Sequence, residues 1–306
     1  MAARRLVQGI QVLRLPTLSG VIITHGRIDR LRLTVAGCCA QEPPLDELII
    51  VNDAGAIDAR SVTVPSRDGL PVRWIRGDGR GRAAARNAGA REAIGDLLLF
   101  LDDDVLTLPA FAASHRAAQA SHPGICRGRI RELIAAAVVS DFGVGAPGFP
   151  ALDERTLREG RFQPERYRQV TSLLERAVED RFVGDQRELP AWLAASGANF
   201  SIARIDWLRL GGQDERFGTV WGCEDLELSL RAVGAGVSLS FVPDAIAYHL
   251  SHTQPDRWTQ HERSLQLFAH LHPIAEVLEL GVLLGPGGST RAYLAATGNH
   301  RRNPAS

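Results

Sequence analysis

"LLLFLDDDV", residues 97–105, runs five apolar residues straight into three aspartates. An apolar run without alternation reads as a strand buried on both faces, as in a parallel sheet. Three carboxylates at its end repel one another, and burial disfavours their charged form. Something at that point must therefore hold negative charge. Side chains alternate along an extended segment, so Asp102 and Asp104 face one way and Asp103 the other. Two carboxylates on one side offer hard oxygen ligands to a divalent cation, Mn2+ or Mg2+, of the kind that holds a diphosphate. The blander account, a cap on a turn or on the helix beginning near Pro109, needs fewer than three carboxylates. Asp103 is left to cap or bridge.

Working outward, "LSGVIIT" (18–24), "LDELIIVNDAG" (45–55) and "VRWIRGD" (72–78) read as further strands, the second ending in the turn residues Asn52, Asp53 and Gly55. Between them, "RIDRLRLTVAGCCA" repeats Ile28, Leu31, Val35 and Cys38 at helical spacing, and "GRAAARNAGAREAI" reads as a second helix. Strands joined by helices predict an α/β fold with a mostly parallel sheet, whose ligands bind beyond the carboxyl ends of the strands. Asp53 and the three aspartates both sit at such ends and are expected to share one cleft.

The 306 residues suffice for a large core, and 45% hydrophobic with 23% charged residues is ordinary for a soluble globular chain. The formal net charge is zero, so no basic field draws the chain to nucleic acid. All 35 basic residues are arginine, which excludes any chemistry requiring lysine. Four cysteines (Cys38, Cys39, Cys126, Cys223) match no zinc or disulfide spacing and are expected to be free thiols in the cytoplasm. The N-terminus has no signal-peptide core, and no apolar stretch reaches transmembrane length. Oligomeric state is left open, a homo-oligomer included.

Beyond residue 106 the signal weakens. "PAFAASHRAAQA" reads as a helix, "RGRIRELIAAAVVSDF" as strand or helix, and "GVGAPGFPALDE" as a loop. The polar stretch 153–182 reads as helical and solvent-facing. "FGTVWGCEDLELSLRAVGAG" predicts a helix with Leu226, Leu230 and Val233 on one face, capped by Gly234 or Gly236. "VSLSFVPDAIAYHLSH" reads as a closing pair of strands ending in His249 and His252, and either histidine could complete a metal site begun by the aspartates. One or two amphipathic helices follow.

Gly77, Gly79 and Gly81 precede a helix bearing Arg82 and Arg86, an arrangement favourable to phosphate, although neither G-x-G-x-x-G nor G-x-x-x-x-G-K-[ST] occurs. Glu224 and Asp225 open a helix, where the dipole favours carboxylates, and one of them could instead serve as a general base. Trp221 before them suits stacking on a sugar ring, though a core tryptophan is the commoner case.

Together these residues resemble a nucleotide-diphospho-sugar glycosyltransferase of the GT-A fold, close to family 2. "VIITHGR", "LIIVNDAG" and "GRAAARNAGAREAIGDLLLFLDDDV" resemble its nucleotide-binding half, and "GANFSIARIDWLRLGGQDERFGTVWGCEDLELSLRAVGAG" is similar to the C-terminal part of galactosyltransferase and polypeptide N-acetylgalactosaminyltransferase domains. The resemblance implies a Rossmann-like central sheet flanked by helices, with a C-terminal helical extension. It implies that Thr24 and Asp53 contact the nucleoside, and Arg82, Arg86 and Asn87 the uracil or diphosphate. Asp102 would face ribose or metal, Asp104 and His249 would bind the metal, and Asp103 is grouped with the donor-binding residues. Gly197, Ala198 and Asn199 would line the donor sugar, Trp221 and Glu224 the acceptor, and Asp225 would be the base of an inverting transfer. The sequence departs from the family at "THGRI", which lacks the usual Pro, Tyr and Asn, and at "GGQDERF", which replaces the commoner "GGFDE".

The expected organisation is an extension (1–17), a GT-A domain (18–254), helices (255–285) and a flexible tail (286–306). Within the domain, 18–106 would hold the nucleotide, 107–190 would be a variable insertion, and 191–254 would serve acceptor and catalysis. The expected activity is metal-dependent transfer of a sugar, from a UDP-sugar by preference, to an unknown acceptor: a saccharide, lipid-linked saccharide, peptide or small natural product. The alternatives are a phosphohydrolase of the haloacid dehalogenase type and a non-catalytic sugar-nucleotide-binding protein. The phosphohydrolase needs a lysine, and Thr107 stands one position late for it.

Overall fold

The apolar runs pair as their sequence predicts. In a computed structural model, which describes residues 15–53, 69–133, 152–195, 197–251 and 256–302, β1 (Leu18–Thr24), β2 (Glu47–Asn52), β3 (Val72–Arg76) and β4 (Leu97–Asp102) form a parallel array in the order β3-β2-β1-β4. Their alternating side chains feed two separate cores. Leu18, Ile22, Leu48, Ile50, Leu97 and Leu99 pack with Leu31, Val35 and Cys38 of α1 (Ile28–Cys39). Val21, Ile23, Ile49, Val51, Leu98 and Phe100 pack with Ala85 and Ala90 of α2 (Arg82–Glu92). Each fully buried leucine or isoleucine contributes roughly 1.5–3 kcal/mol, so both helices are fixed against opposite faces. All four cysteines are free and buried, as expected.

Past β4 the sheet becomes mixed. β8 (Phe200–Ala203) pairs antiparallel with β4, and β6 (Ile125–Leu133), β9 (Leu239–His249) and β5 (Val105–Thr107) follow, with β7 (Gln169–Val170) on β6. β6 and β9 run parallel, with a bulge between Gly128 and Arg129. Among the described residues the remaining α-helices are α3 (Phe111–Ser121), α4 (Glu154–Arg158), α5 (Leu173–Phe182), α6 (Arg204–Leu210), α7 (Glu224–Gly234), α8 (Arg257–Leu271), α9 (Ala275–Leu278), α10 (Leu280–Leu284) and α11 (Thr290–Arg302).

Several expectations need correction. Residues 107–190 do not stand apart as an insertion, because β6 lies inside the sheet. The stretch 153–182 is only partly helical and is not solvent-facing: Leu157, Phe162, Tyr167 and Val178 are buried. The closing pair of strands is the single strand β9. Val233 is 42% exposed and leaves the buried face of α7 to Leu226, Leu228 and Ala232. Gly236, at φ 79°, supplies the left-handed residue after that helix. The expected flexible tail contains α11, whose Tyr293 is fully buried and donates its hydroxyl to the Glu276 carbonyl at 2.9 Å. Gly55, His252, residues 1–14 and most of the 143–154 loop lie outside the described residues. Among the described residues no helix is long and apolar enough to cross a membrane.

Candidate active site

The parallel register puts the ends of β1, β2 and β4 side by side: Thr24 lies opposite Asn52, and Ile23 opposite Asp102. Asp53 follows directly and is buried. Its Oδ2 accepts the Gly81 N–H at 3.2 Å, whereas its buried Oδ1 accepts nothing from the described residues. Buried acceptors are rarely left unpaired, so Oδ1 suits a donor brought by a ligand. The glycine loop wraps this carboxylate closely, and a Cβ on Gly77 would stand 2.7 Å from the Asp53 Cα. Arg82, in the first turn of α2, has no hydrogen-bond or ion-pair partner among the described residues.

Arg86 has a different role from the one expected. It is fully buried and does not reach out to a diphosphate. Its Nη2 donates to Asp102 at 2.9 Å, and its Nη1 to Glu224 at 3.0 Å, Asp225 at 3.3 Å and Gln213 at 3.3 Å. Burial opposes its charge, but the three carboxylates outweigh that and raise its pKa. A Cβ on Gly197 would fall 1.9 Å from the Arg86 Nη2, so only glycine leaves room for this guanidinium. Glu224, expected toward the acceptor, is buried against Arg86 instead and balances its charge.

Asp225 is the more accessible carboxylate of the pair, with 17% of its side chain exposed against 4% for Glu224. Its Oδ2 accepts the Gly197 N–H at 2.6 Å, and its Oδ1 accepts the Gln213 amide. Burial pushes its pKa up to about 6 against the pull of Arg86, which suits a base working near neutrality. Cys223, just before α7, is held at φ 69°, a strained conformation that concentrates at functional turns. Trp221 is partly buried, with the Arg257 guanidinium 4.5 Å from its ring centroid and the His261 ring 5.3 Å away.

On the other side of β4, Asp104 and His249 come together: His249 Nε2 is 3.2 Å from Asp104 Oδ1. Burial works against a charge on His249, but Asp104 and Glu132 hold its pKa well above the ordinary value. An imidazole nitrogen facing a carboxylate is a donor pair that suits Mn2+ or Mg2+, which take few protein ligands and complete their shell with water and phosphate. Asp102, 31% exposed at its side chain, is turned toward Arg86. Among the described residues no group of three potential ligands is already set around one point. The pair therefore fits the cation, and the expected triad is not preassembled.

Three more expected contacts are spent inside the protein. The Thr24 hydroxyl donates to Asp103 at 2.5 Å, so Asp103 bridges β4 to β1. The alternation expected through 102–104 does not hold, because β4 ends at Asp102 and residues 103 and 104 form a turn that parts Asp104 from Asp102. Burial and then Asp104 push Asp103 up to about 7. Asn87 donates to the Gln213 carbonyl and to Glu215 and accepts the Gln213 N–H, which pins the 212–215 turn. Asn199 is fully buried, donates to the Arg129 and Ala245 carbonyls across the β6–β9 bulge, and meets His115 Nε2 at 2.9 Å. It stitches strands together and does not line a sugar. Ala198 is likewise buried. Sequence reasoning missed Gln213 and Glu132; the only signal for Gln213 was its place in "GGQDERF".

Residues 19–121 match the family model for glycosyl transferase family 2. A validoxylamine A glucosyltransferase of Streptomyces hygroscopicus subsp. jinggangensis is 31% identical over 241 residues, covering 74% of this chain and 53% of that protein. Over that stretch the chain is similar to family 2 glycosyltransferases. The chain spans about half the length of the Streptomyces relatives it matches. The glycosyltransferase fold is shared with GalNAc-T7, solved with UDP, GalNAc and Mn2+ (TM-score 0.55, 18% identity, 94% of this chain and 55% of that one). It is shared too with a mannosyltransferase from Pyrobaculum calidifontis, solved with GDP-Man and Mn2+ (TM-score 0.52, 14% identity, 96% of this chain and 89% of that one). The GT-A fold expected from the sequence is thus borne out, and Asp225 and His249 lie beyond the segment matched by the family model.

Proposed function

We propose that the chain is a metal-assisted, inverting glycosyltransferase that moves a sugar from a nucleoside-diphosphate donor, a UDP-sugar by preference, to an acceptor hydroxyl. The observation that carries this reading is the Arg86 guanidinium, which joins the aspartate at the end of β4 to the two carboxylates that open α7. Donor-side and acceptor-side groups are thereby held in one cluster.

Asp53 Oδ1 would accept an N–H from the base, and Arg82, beside the α2 N-terminus, would meet the diphosphate. Asp104 and His249, with Asp102 as third candidate, would hold the divalent cation, which when bound offsets negative charge developing on the departing diphosphate. Asp225 takes the proton of the acceptor hydroxyl. The acceptor oxygen then bonds to the anomeric carbon while the bond from that carbon to the diphosphate oxygen breaks, and its electron pair leaves with the nucleoside diphosphate. A single displacement of this kind inverts the anomeric centre. The Streptomyces relatives, named for glucosyl transfer to validoxylamine A, make glucose the first donor sugar to try and a small hydroxylated molecule the first acceptor.

The test is release of nucleoside diphosphate from UDP-, GDP- and dTDP-sugars in Mn2+, with water as default acceptor. The reading predicts slow release from one donor class that stops when the metal is chelated. Release of inorganic phosphate from simple phosphomonoesters, with none of the sugar nucleotides consumed, overturns it in favour of a phosphohydrolase.

A further inference from the structure

β9 delivers His249 between two neighbours at one level of the sheet: Val105 of β5 on one side, immediately after Asp104, and Glu132 of β6 on the other. Glu132 Oε2 accepts from His249 Nδ1 at 2.8 Å, and the Ser251 hydroxyl donates to the same oxygen. With Nδ1 engaged on Glu132, Nε2 is the nitrogen presented to Asp104, 3.2 Å away. A histidine ligand commonly gives its second ring nitrogen to a carboxylate, which fixes the tautomer and the ring plane. Asp104 stands on the opposite nitrogen.

We propose that Glu132 is the positioning residue for His249: it holds Nδ1–H so that Nε2 is directed at Asp104, where the two side chains would take a divalent cation between them. This rests on the metal-assisted reading above. The arrangement is built into strand register, because Glu132 and His249 are partners in the parallel β6–β9 ladder. Ser251, two residues beyond His249, restrains the Glu132 carboxylate in turn.

The experiment measures Mn2+ affinity of the full chain by isothermal titration calorimetry and by the electron paramagnetic resonance of free Mn2+, with no donor or acceptor present. Five proteins are compared: wild type, His249→Ala, Glu132→Gln, Glu132→Asp and Glu179→Gln. The last removes a neighbouring carboxylate that pairs with Arg129 and Arg131 and does not touch His249. Far-UV circular dichroism confirms the fold of each, and Glu132→Asp, which keeps the charge and withdraws its reach, serves if Glu132→Gln does not fold. The inference predicts an affinity loss of about 10–100-fold in both Glu132 variants and almost none in Glu179→Gln. Equal affinity in wild type and the Glu132 variants overturns it, as does an equal loss in Glu179→Gln, which would reduce the effect to bulk charge. Loss as complete as that of His249→Ala would make Glu132 a ligand itself and overturn the positioning role. Absence of Mn2+ binding by the wild type would instead remove the metal-assisted reading, and the inference with it.

Discussion

Arg86 donates through Nη2 to Asp102 at 2.9 Å, and with the other arm of the same guanidinium it meets Glu224 and Asp225. One buried cation thus balances three carboxylates from two distant parts of the chain. Removing it leaves those charges facing one another in a low-dielectric setting, and breaking a buried pair in this way costs about 3–5 kcal/mol. Arg86→Met is expected to lower unfolding stability by about that amount in urea titrations, and Arg86→Lys to recover only part, because an ammonium cannot serve both directions at once.

Asp225→Asn is expected to lower kcat by about 10²–10⁴ while leaving the donor dissociation constant nearly unchanged. Equal loss of both would make Asp225 a structural residue of the Arg86 cluster. The carboxyl must be ionised to take a proton, and its pKa lies at about 6, so kcat/KM of the wild type is expected to fall as pH drops through 6. Gln213→Leu removes an amide that donates to the ionised form, so the acid limb should move to higher pH.

His115 provides a stability test independent of catalysis. Burial pulls its pKa down from 6.5 to about 4, while Asn199 and Ser201 satisfy both ring nitrogens. Above pH 6.5 the ring is neutral in both folded and unfolded chains and contributes no pH dependence. Below it the unfolded chain takes up a proton that the folded one refuses, so stability declines between about 6.5 and 4, by about 3 kcal/mol in all. Denaturant titrations across that range should show this slope, and His115→Gln should flatten it.

Asn199→Ala tests whether that side chain is structural. It would strip partners from two buried carbonyls and from His115. Each unmet group costs about 1–3 kcal/mol, so a loss of at least about 2 kcal/mol is expected, read by chemical denaturation. A stable variant with weakened donor binding would return Asn199 to the sugar subsite.

The parallel half of the fold was legible because strands buried on both faces leave unbroken apolar runs, and β1, β2 and β4 do so. β6 was not legible, because "ICRGRIREL" places arginines inside the sheet. Arg127 is fully buried, and it is tolerated there by an ion pair with Glu175, on a helix that reads as solvent-facing. Neither residue reveals the other in sequence. The site divides on the same ground. Asp53, Asp104, Asp225 and His249 could be located from motif and chain position. Arg86, Asn87 and Asn199 looked like ligand contacts because their partners, Glu224, Gln213 and Ala245, come from remote segments.

The carboxyl ends of β1, β2 and β4 are proposed to hold a nucleoside diphosphate together with a divalent cation. A thermal-shift panel of UDP, GDP, dTDP and ADP, each with and without Mn2+, tests it directly, since a ligand at 100 times its Kd stabilises the folded chain by about 2.7 kcal/mol. One nucleotide, UDP first, is expected to raise Tm and to do so far more when Mn2+ is present. No stabilisation by any of the four, or stabilisation indifferent to Mn2+, would contradict it.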